Sequence, residues 1–149
     1  MPYHACSRGE TEVTTDPSFL DIDLIHGFLS RSYWAEGIPR EIVERSISGS
    51  ICFGAYRAGA QIGFARVISD CATFAYIADV FVLEPSRGKG VGKLLMECIM
   101  SHPDLQHLRR WSLLTRDAHG LYRQFAFSAP AHPERYMEIS NPDIYRKKT

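Results

Sequence analysis

The sequence predicts an α+β fold in which helices flank a mixed, mostly antiparallel central sheet. Two observations carry this prediction. Residues 51–83 form three apolar segments separated by short turns, which is the pattern of an antiparallel meander. A glycine-rich segment and a helix with one apolar stripe follow, and a further apolar segment comes after Pro103. Consecutive strands followed by helices are typical of the α+β class.

The first fifty residues predict a weak strand and two helices. Residues 10–15 have the weak strand pattern. Asp16 followed by Pro17 offers a helix start. Pro39 is a suitable first residue for a second helix, which closes near Gly49. The apolar face of the first helix consists of Leu20, Leu24, Ile25 and Phe28.

The remaining elements are predicted from residue 51 onward. Residues 51–57 and 61–68 form a hairpin through a glycine-containing loop, and residues 74–83 form the next antiparallel strand. The later elements are a helix that ends near Pro103, a strand over residues 108–115, a short helix over residues 117–125 and a closing strand over residues 134–139. Because no repeat or linker interrupts them, residues 1–149 are predicted to form a single domain.

Composition limits the classes of function. The 149 residues are 45% hydrophobic, which is enough for a substantial core. A formal net charge of zero argues against a general attraction to nucleic acid or to an anionic membrane. No apolar run approaches the ~20 residues of a membrane helix, and the N-terminus has no apolar signal core. The expected location is therefore cytoplasmic.

The cysteine and histidine spacings do not indicate a metal site. The four cysteines lack any Cys-x-x-Cys spacing, and Cys52 and Cys98 are better interpreted as small buried hydrophobic residues. His102 and His107 flank Pro103 at a spacing that matches no metal motif. We therefore expect no metal.

The segment over residues 80–93 is the most informative part of the chain. It consists of an apolar strand, a basic glycine-rich turn and the start of an amphipathic helix. A helix start leaves backbone N–H groups without partners and attracts anions. Glycines allow a bulky ligand to approach the backbone, and basic side chains add full charges. These residues, Arg87, Gly88, Lys89, Gly90, Gly92 and Lys93, predict a phosphate site.

The spacing within this segment selects the phosphate ligand. Three residues separate Gly88 from Gly92, where a P-loop needs four, and Leu94 replaces the hydroxyl residue that binds Mg²⁺. A dinucleotide fingerprint is also incomplete. The pattern that fits is Arg-x-x-Gly-x-Gly, formed by Arg87, Gly90 and Gly92. It resembles the pyrophosphate loop of the GNAT N-acetyltransferase superfamily, whose cofactor is acetyl-coenzyme A.

The resemblance covers most of the chain from about residue 51 and implies a cofactor site. In this superfamily the strand before the loop splays from the next strand and leaves a V-shaped cleft for the pantetheine arm. An unpaired strand edge needs hydrogen-bond partners, and an amide-bearing arm supplies them. The implied cofactor-binding residues are Phe81, Val82, Arg87, Gly88, Lys89, Gly90, Val91, Gly92, Lys93 and Asp117.

A second match to the superfamily lies in residues 121–127. Tyr122 occupies the position of a tyrosine whose hydroxyl faces the thioester sulfur in many relatives. A phenol can donate its proton to a departing thiolate, so Tyr122 is the expected catalytic acid. Ala126 replaces the usual glycine, and a left-handed backbone there would cost about 1 kcal/mol. Asp117 is expected to cap this helix, and in relatives a polar residue near this position contacts the pantetheine arm.

The general base is less well defined. An amine must lose a proton before it attacks, and Asp79 is the first candidate because it lies in an apolar strand near the cleft. Glu84, His119 and a water chain stay open as alternatives. For the acceptor, Tyr33 and Trp34 are the expected contacts, since aromatic faces attract a cationic amine.

The resulting prediction is an N-acetyltransferase that uses acetyl-CoA and acts by direct attack in a ternary complex. The acceptor is a primary amine of a small molecule, peptide or protein, without a role for nucleic acid or membrane. Sheet edges near the C-terminus often pair in this superfamily, so a homodimer is one open outcome. The alternatives are a non-catalytic acyl-CoA-binding module or sensor and, less favoured, an ATP-binding protein.

Overall fold

A computed structural model describes residues 3–146 as one six-stranded sheet flanked by helices. Strands follow each other in sequence order, and every neighbouring pair is antiparallel except the last, which is parallel. The predicted fold class is confirmed. The strands are β1 (Ala5–Arg8), β2 (Thr11–Thr14), β3 (Ile51–Arg57), β4 (Ala60–Ser69), β5 (Phe74–Val82) and β6 (Arg110–Leu113).

Helices cover both faces of the sheet. One core lies under α3 (Val91–Met100), whose apolar stripe faces alternate residues of the strands. The other core lies under α1 (Ile22–Ser30) and α2 (Arg40–Ser48). A short helix, α4 (His119–Arg123), follows β6. Within residues 3–146, no helix has both the length and the apolar character needed to cross a membrane.

Strand β5 separates from β6 after four residues. The pairing runs from Phe74 opposite Arg110 to Ile77 opposite Leu113. Residues 78–82 of β5 therefore have no β6 partner, and a wedge-shaped cleft opens between the two strands. This is the V-shaped gap that the sequence resemblance implies.

A bulge in β5 lies at the point where the wedge opens. The register of β4 and β5 shifts between Phe64 and Arg66, and Asp79 has a left-handed φ of +57°. Ile77 packs into the core under α3, whereas Phe81 packs into the core under α1 and α2. The extra residue thus changes which face the later side chains of β5 point to.

The N-terminal predictions are partly correct. The weak strand predicted for residues 10–15 belongs to a β1–β2 hairpin. Asp16 caps only a 3₁₀ turn at Pro17–Phe19, and α1 begins after Asp21, whose carboxylate accepts a hydrogen bond from the Leu24 backbone N–H. A second capping aspartate therefore sets the helix start.

The predicted closing strand over residues 134–139 is wrong. A 3₁₀ turn occupies Pro133–Arg135, and no strand follows it within the described residues. The Met137 and Ile139 side chains are 91% and 103% exposed, so no neighbouring edge receives them. An apolar, β-branched pattern specifies a strand only when another strand is placed to pair with it.

The helix predicted for residues 117–125 is shorter and differently capped. Ala118 is the residue before α4, and its backbone N–H donates to Thr115 Oγ1 at 3.0 Å, so Asp117 does not cap the helix. At the other end Ala126 has φ +72°, the left-handed conformation expected for the family's glycine position.

Replacing Ala126 with glycine should stabilise the fold. Alanine in a left-handed conformation costs about 1–2 kcal/mol, and glycine loses part of this gain through its more flexible unfolded state. We expect the free energy of unfolding in urea to rise by about 0.5–1 kcal/mol. Ala60→Gly in strand β4 is the control and should lower the free energy of unfolding. A destabilised Ala126→Gly variant would contradict this explanation.

Candidate active site

The wedge opens into a cleft of about 650 Å³. Its walls are residues 80–82 of β5, Gly92 of α3, residues 116–118 after β6, and two residues of α4, Leu121 and Tyr122. The opposite wall is Phe28 of α1 with the link over residues 31–34. Three predicted elements, the splayed strand, the glycine loop and the tyrosine helix, therefore meet in one place.

The glycine loop leaves the start of α3 uncapped. Gly88 and Gly90 have φ values of +76° and +81°, which glycine adopts without strain. Gly90 is the residue before the helix, and within residues 3–146 no side chain caps the first turn. The first backbone N–H groups of a helix have no partner inside it, so these point toward any anion placed at the loop.

Of the other loop residues, Gly92 lines the cleft, whereas Lys89, Gly90 and Val91 line a separate, smaller pocket on the side of Arg8. The Val91 side chain is buried under the sheet, so only its backbone is available to a ligand. A Cβ at Gly92 would lie 3.5 Å from Leu121 Cδ2, at the floor of the cleft. Lys89 and Lys93 are exposed, and neither forms an ion pair with any residue from 3 to 146. Their charges are thus not neutralised by the protein.

Arg87 connects the loop to the free strand edge. Its Nε donates a hydrogen bond to the Val82 carbonyl at 2.9 Å. The guanidinium lines the cleft. This contact places a positive charge where β5 ends and the loop begins.

Tyr122 is buried in the wall of the cleft. Burial, followed by the nearby Tyr33 ring, raises the pKa of its phenol to about 12. The ring packs edge-on against Phe127, with a 6.0 Å separation between the ring centroids. Tyr122 lines the cleft, and among the described residues no hydrogen bond contributes to its raised pKa, so the phenol is neutral and its hydroxyl is free to donate.

Asp79 lies behind the cleft and hydrogen-bonds to Trp34, a residue of the cleft wall. Trp34 Nε1 donates to Asp79 Oδ1 at 2.9 Å, and Arg66 Nε donates to Asp79 Oδ2 at 2.9 Å. The Asp79 and Arg66 side chains are only 11% and 16% exposed. Arg66 Nη1 also donates to Ser50 Oγ. Asp79 itself does not line the cleft, whereas Trp34 does.

The two predicted acceptor residues line the cleft opposite the tyrosine helix. The Tyr33 and Trp34 rings pack edge-on with a centroid distance of 5.0 Å. The Arg116 guanidinium lies 3.8 Å from the Tyr33 ring centroid. Phe28 stacks on Phe81, with a centroid distance of 4.0 Å, and fixes this wall to β5.

The remaining sequence candidates have different positions. Asp117 lines the cleft and pairs with Arg116 at 3.6 Å, in an exposed position. Glu84 and His119 are exposed and do not line the cleft. Arg31 and Arg116 line the acceptor side and were missed in the sequence analysis. The position of Arg116 directly after the last strand of the sheet is the signal that could have indicated it.

Comparisons with known proteins agree on one family. A protein-family model described as "Acetyltransferase (GNAT) domain" matches residues 48–129, which is more than half of the chain. A protein of Gibberella zeae, provisionally named an acetyltransferase, is 34% identical over 140 residues, which span 78% of this chain and 77% of the relative.

Solved structures extend this agreement to the fold. A GNAT-family protein from Xanthomonas campestris pv. campestris, provisionally described as an acetyltransferase, is 51% identical, with a TM-score of 0.91 over 95% of this chain and 100% of that one. A structure from Clostridium acetobutylicum, assigned by prediction to the acetyltransferases and containing acetyl-CoA, is 14% identical with a TM-score of 0.61. The similarity covers 93% of this chain and 94% of the other chain. At this level of identity it shows a shared fold alone. Together with the splayed strand and the glycine loop, these matches place the chain in the GNAT family of acetyltransferases.

Proposed function

We propose that the protein transfers an acetyl group from acetyl-CoA to a primary amine by direct attack in a ternary complex. One observation carries this proposal. The unpaired edge of β5 and the uncapped start of α3 open into the cleft that Tyr122 lines. An anion-binding helix start, a strand edge and a proton donor are the three elements that a thioester with a diphosphate-linked arm requires.

Each element has a defined part in the proposed reaction. Bound acetyl-CoA supplies an acetyl group activated as a thioester. The first amides of α3, with Lys89 and Lys93, hold the diphosphate, and the backbone of residues 80–82 aligns the pantetheine arm. This positioning accounts for much of the rate, since a thioester held beside a deprotonated amine is already reactive.

Tyr122 assists the departure of the sulfur. As the acceptor nitrogen bonds to the acetyl carbon and the carbon–sulfur bond breaks, its hydroxyl donates toward the sulfur. Because burial raises the pKa of Tyr122 to about 12, while a thiol has a pKa near 8.5, full proton transfer from the phenol is uphill. The hydroxyl acts chiefly as a hydrogen-bond donor, and the proton that the amine loses replaces any proton the phenol gives up.

Asp79 is a positioning residue in this scheme. Both of its oxygens accept hydrogen bonds, from Trp34 and Arg66, and its carboxylate does not line the cleft. Its left-handed backbone lies at the bulge where the wedge opens. The carboxylate therefore fixes the indole in the acceptor wall, and the proton that the ammonium must lose before it attacks leaves through water.

Variants at Trp34 and Asp79 should act through the same contact. We expect Trp34→Phe and Asp79→Asn each to raise the acceptor KM several-fold with a smaller change in kcat. The double variant should be no worse than the more affected single variant, because both changes disrupt the same contact between Trp34 and Asp79. Steady-state kinetics over a range of pH measures this. A large loss of kcat confined to Asp79→Asn, with loss of the acidic limb of the pH profile, would instead identify Asp79 as the base.

The charges of the acceptor wall favour an amine that also carries an anionic group. Arg31 and Arg116 line this side of the cleft. Among the residues that the structure describes, Asp117 is the one carboxylate in the lining, and Arg116 already pairs with it. A polyamine would meet net positive charge here, whereas an amine with a carboxylate or phosphate would find a guanidinium partner.

A thiol-release assay tests the proposed function. The protein with acetyl-CoA should release free thiol with an amino-dicarboxylate such as glutamate faster than with spermidine, and Arg31→Glu should reverse the order. Arg45→Glu, on α2, is the control and should leave the order unchanged. Tight acetyl-CoA binding without thiol release for any amine would favour the non-catalytic module. ATP binding tighter than CoA would favour a nucleotide site. Cytoplasmic residence and a homodimer stay predictions, which fractionation and sedimentation can test.

A further inference from the structure

A group of potential metal ligands lies at the end of α3 opposite the glycine loop. The group consists of His4, just before β1, Cys6 on β1 and Cys98 on α3. One ring nitrogen of His4, Cys6 Sγ and Cys98 Sγ all lie within 4.8 Å of one another. His4 and Cys6 are two residues apart at the start of a strand, so their side chains point to the same face, toward α3.

The separations fit a tetrahedral ion. Zinc binds cysteine sulfur at about 2.3 Å and histidine nitrogen at about 2.0–2.1 Å, which places the sulfur and nitrogen about 3.6 Å apart around a tetrahedral centre. The observed distance between Cys6 Sγ and His4 Nε2 is 3.7 Å. Small side-chain rotations would bring all three atoms into contact with one ion.

The backbone around the group is anchored from both sides. The His4 N–H donates to Thr15 Oγ1 at 3.0 Å, and the Thr15 N–H donates to the His4 carbonyl at 3.0 Å. Arg8 forms an ion pair with Glu97, which fastens β1 to α3 directly beside the group. The ligand residues therefore lie on backbone that hydrogen bonds and an ion pair hold in place.

A fourth position is available next to the three ligands. Ser101 Oγ lies 3.0 Å from His4 Nε2 and 3.7 Å from Cys6 Sγ, on the partly exposed side of the group. Cys98 closes the opposite side and is fully buried. This arrangement leaves room for a water or the serine hydroxyl as the fourth ligand.

We propose that His4, Cys6 and Cys98 bind one zinc ion, which fastens the β1–β2 hairpin to α3. Both thiols lose their protons to solvent as two zinc–sulfur bonds and one zinc–nitrogen bond form, and the contact between Ser101 and His4 gives way. Two thiolates neutralise the ion, so the buried site carries no net charge. Sulfur and imidazole ligands suit zinc better than magnesium or calcium.

Zinc binds cysteine as the thiolate, so binding releases protons. Cys98 lies eight residues from Gly90, about 12 Å along the helix, so the ion stabilises the fold without touching the reaction.

Metal titration of the full-length, reduced protein tests this proposal. We expect one zinc or cobalt ion per chain, a sulfur-to-cobalt charge-transfer band with tetrahedral visible bands, and a melting temperature that rises with zinc concentration. Titrations in two buffers of different ionisation enthalpy should show protons released. Cys6→Ser and His4→Gln, both partly exposed, should weaken binding at least about tenfold.

The control is Cys71→Ser, which removes an exposed cysteine outside the group and should bind like the parent protein. Thermal unfolding without metal shows whether each variant folds. Octahedral cobalt spectra, or equal affinity for the parent protein and Cys6→Ser, would overturn the proposal. A Cys6–Cys98 disulfide formed with mild oxidant, in a protein that binds no zinc when reduced, would overturn it as well. None of these measurements depends on acetyltransferase activity.

Discussion

Replacing Tyr122 with phenylalanine should lower kcat about 100-fold while the dissociation constant for CoA changes less than about threefold. The substitution keeps the buried ring and removes only the hydroxyl, and among the described residues no hydrogen bond contributes to the raised pKa of that hydroxyl. A donor that acts on the departing sulfur stabilises the transition state and contributes little to cofactor affinity. Stopped-flow acetyl transfer and equilibrium CoA binding measure the two quantities separately.

The pH dependence adds a second readout for Tyr122. Since the pKa of Tyr122 is raised to about 12, the phenol keeps its proton throughout the usual assay range, and kcat should not decline on the alkaline side until that pKa is approached. Tyr136→Phe, at an exposed tyrosine outside the cleft, is the matched control and should be as active as the parent. An unchanged kcat in Tyr122→Phe, with chemistry shown to limit the rate, would remove the acid role.

A carboxylate at Gly92 should abolish CoA binding without harming the fold. Gly92 lies in the first turn of α3 and faces the cleft. A glutamate there would accept hydrogen bonds from the free amides of the turn and repel the diphosphate. The same charge at a helix start stabilises the helix. We expect the dissociation constant for CoA to rise at least about 100-fold in Gly92→Glu, with an unchanged or higher melting temperature.

Gly92→Gln separates charge from size. The glutamine side chain occupies the same space without the negative charge, so it should weaken CoA binding clearly less than glutamate does. Calorimetric titration with CoA and thermal unfolding of both variants give the comparison. Equal affinities for the two variants would show that the first turn of α3 is not an anion site. An unaffected affinity in both variants would place the cofactor elsewhere.

The parts of the fold that sequence alone predicted are set by local patterns. Strands β3 to β5 are apolar segments separated by short turns, and α3 has both an apolar stripe and a glycine start. The left-handed conformation of Ala126 is likewise local, because it depends on the place of this residue at a helix end. Such signals need no knowledge of distant residues.

The parts that were missed depend on distant contacts. Asp79 meets Trp34 across 45 residues and Arg66 across 13, and no pattern in either segment indicates these hydrogen bonds. His4 and Cys98 likewise meet only because β1 packs on α3. The predicted strand over residues 134–139 fails for the opposite reason, since its local pattern is suitable but no strand among residues 3–146 pairs with it.

A crystal structure with bound CoA tests the central claim most directly. We predict that the diphosphate oxygens lie within hydrogen-bond distance of the backbone amides over residues 88–93. The pantetheine amides should pair with β5 between residues 78 and 82, and the sulfur should lie within reach of the Tyr122 hydroxyl. A cofactor bound outside the wedge between β5 and β6, with the first turn of α3 left free, would contradict the account.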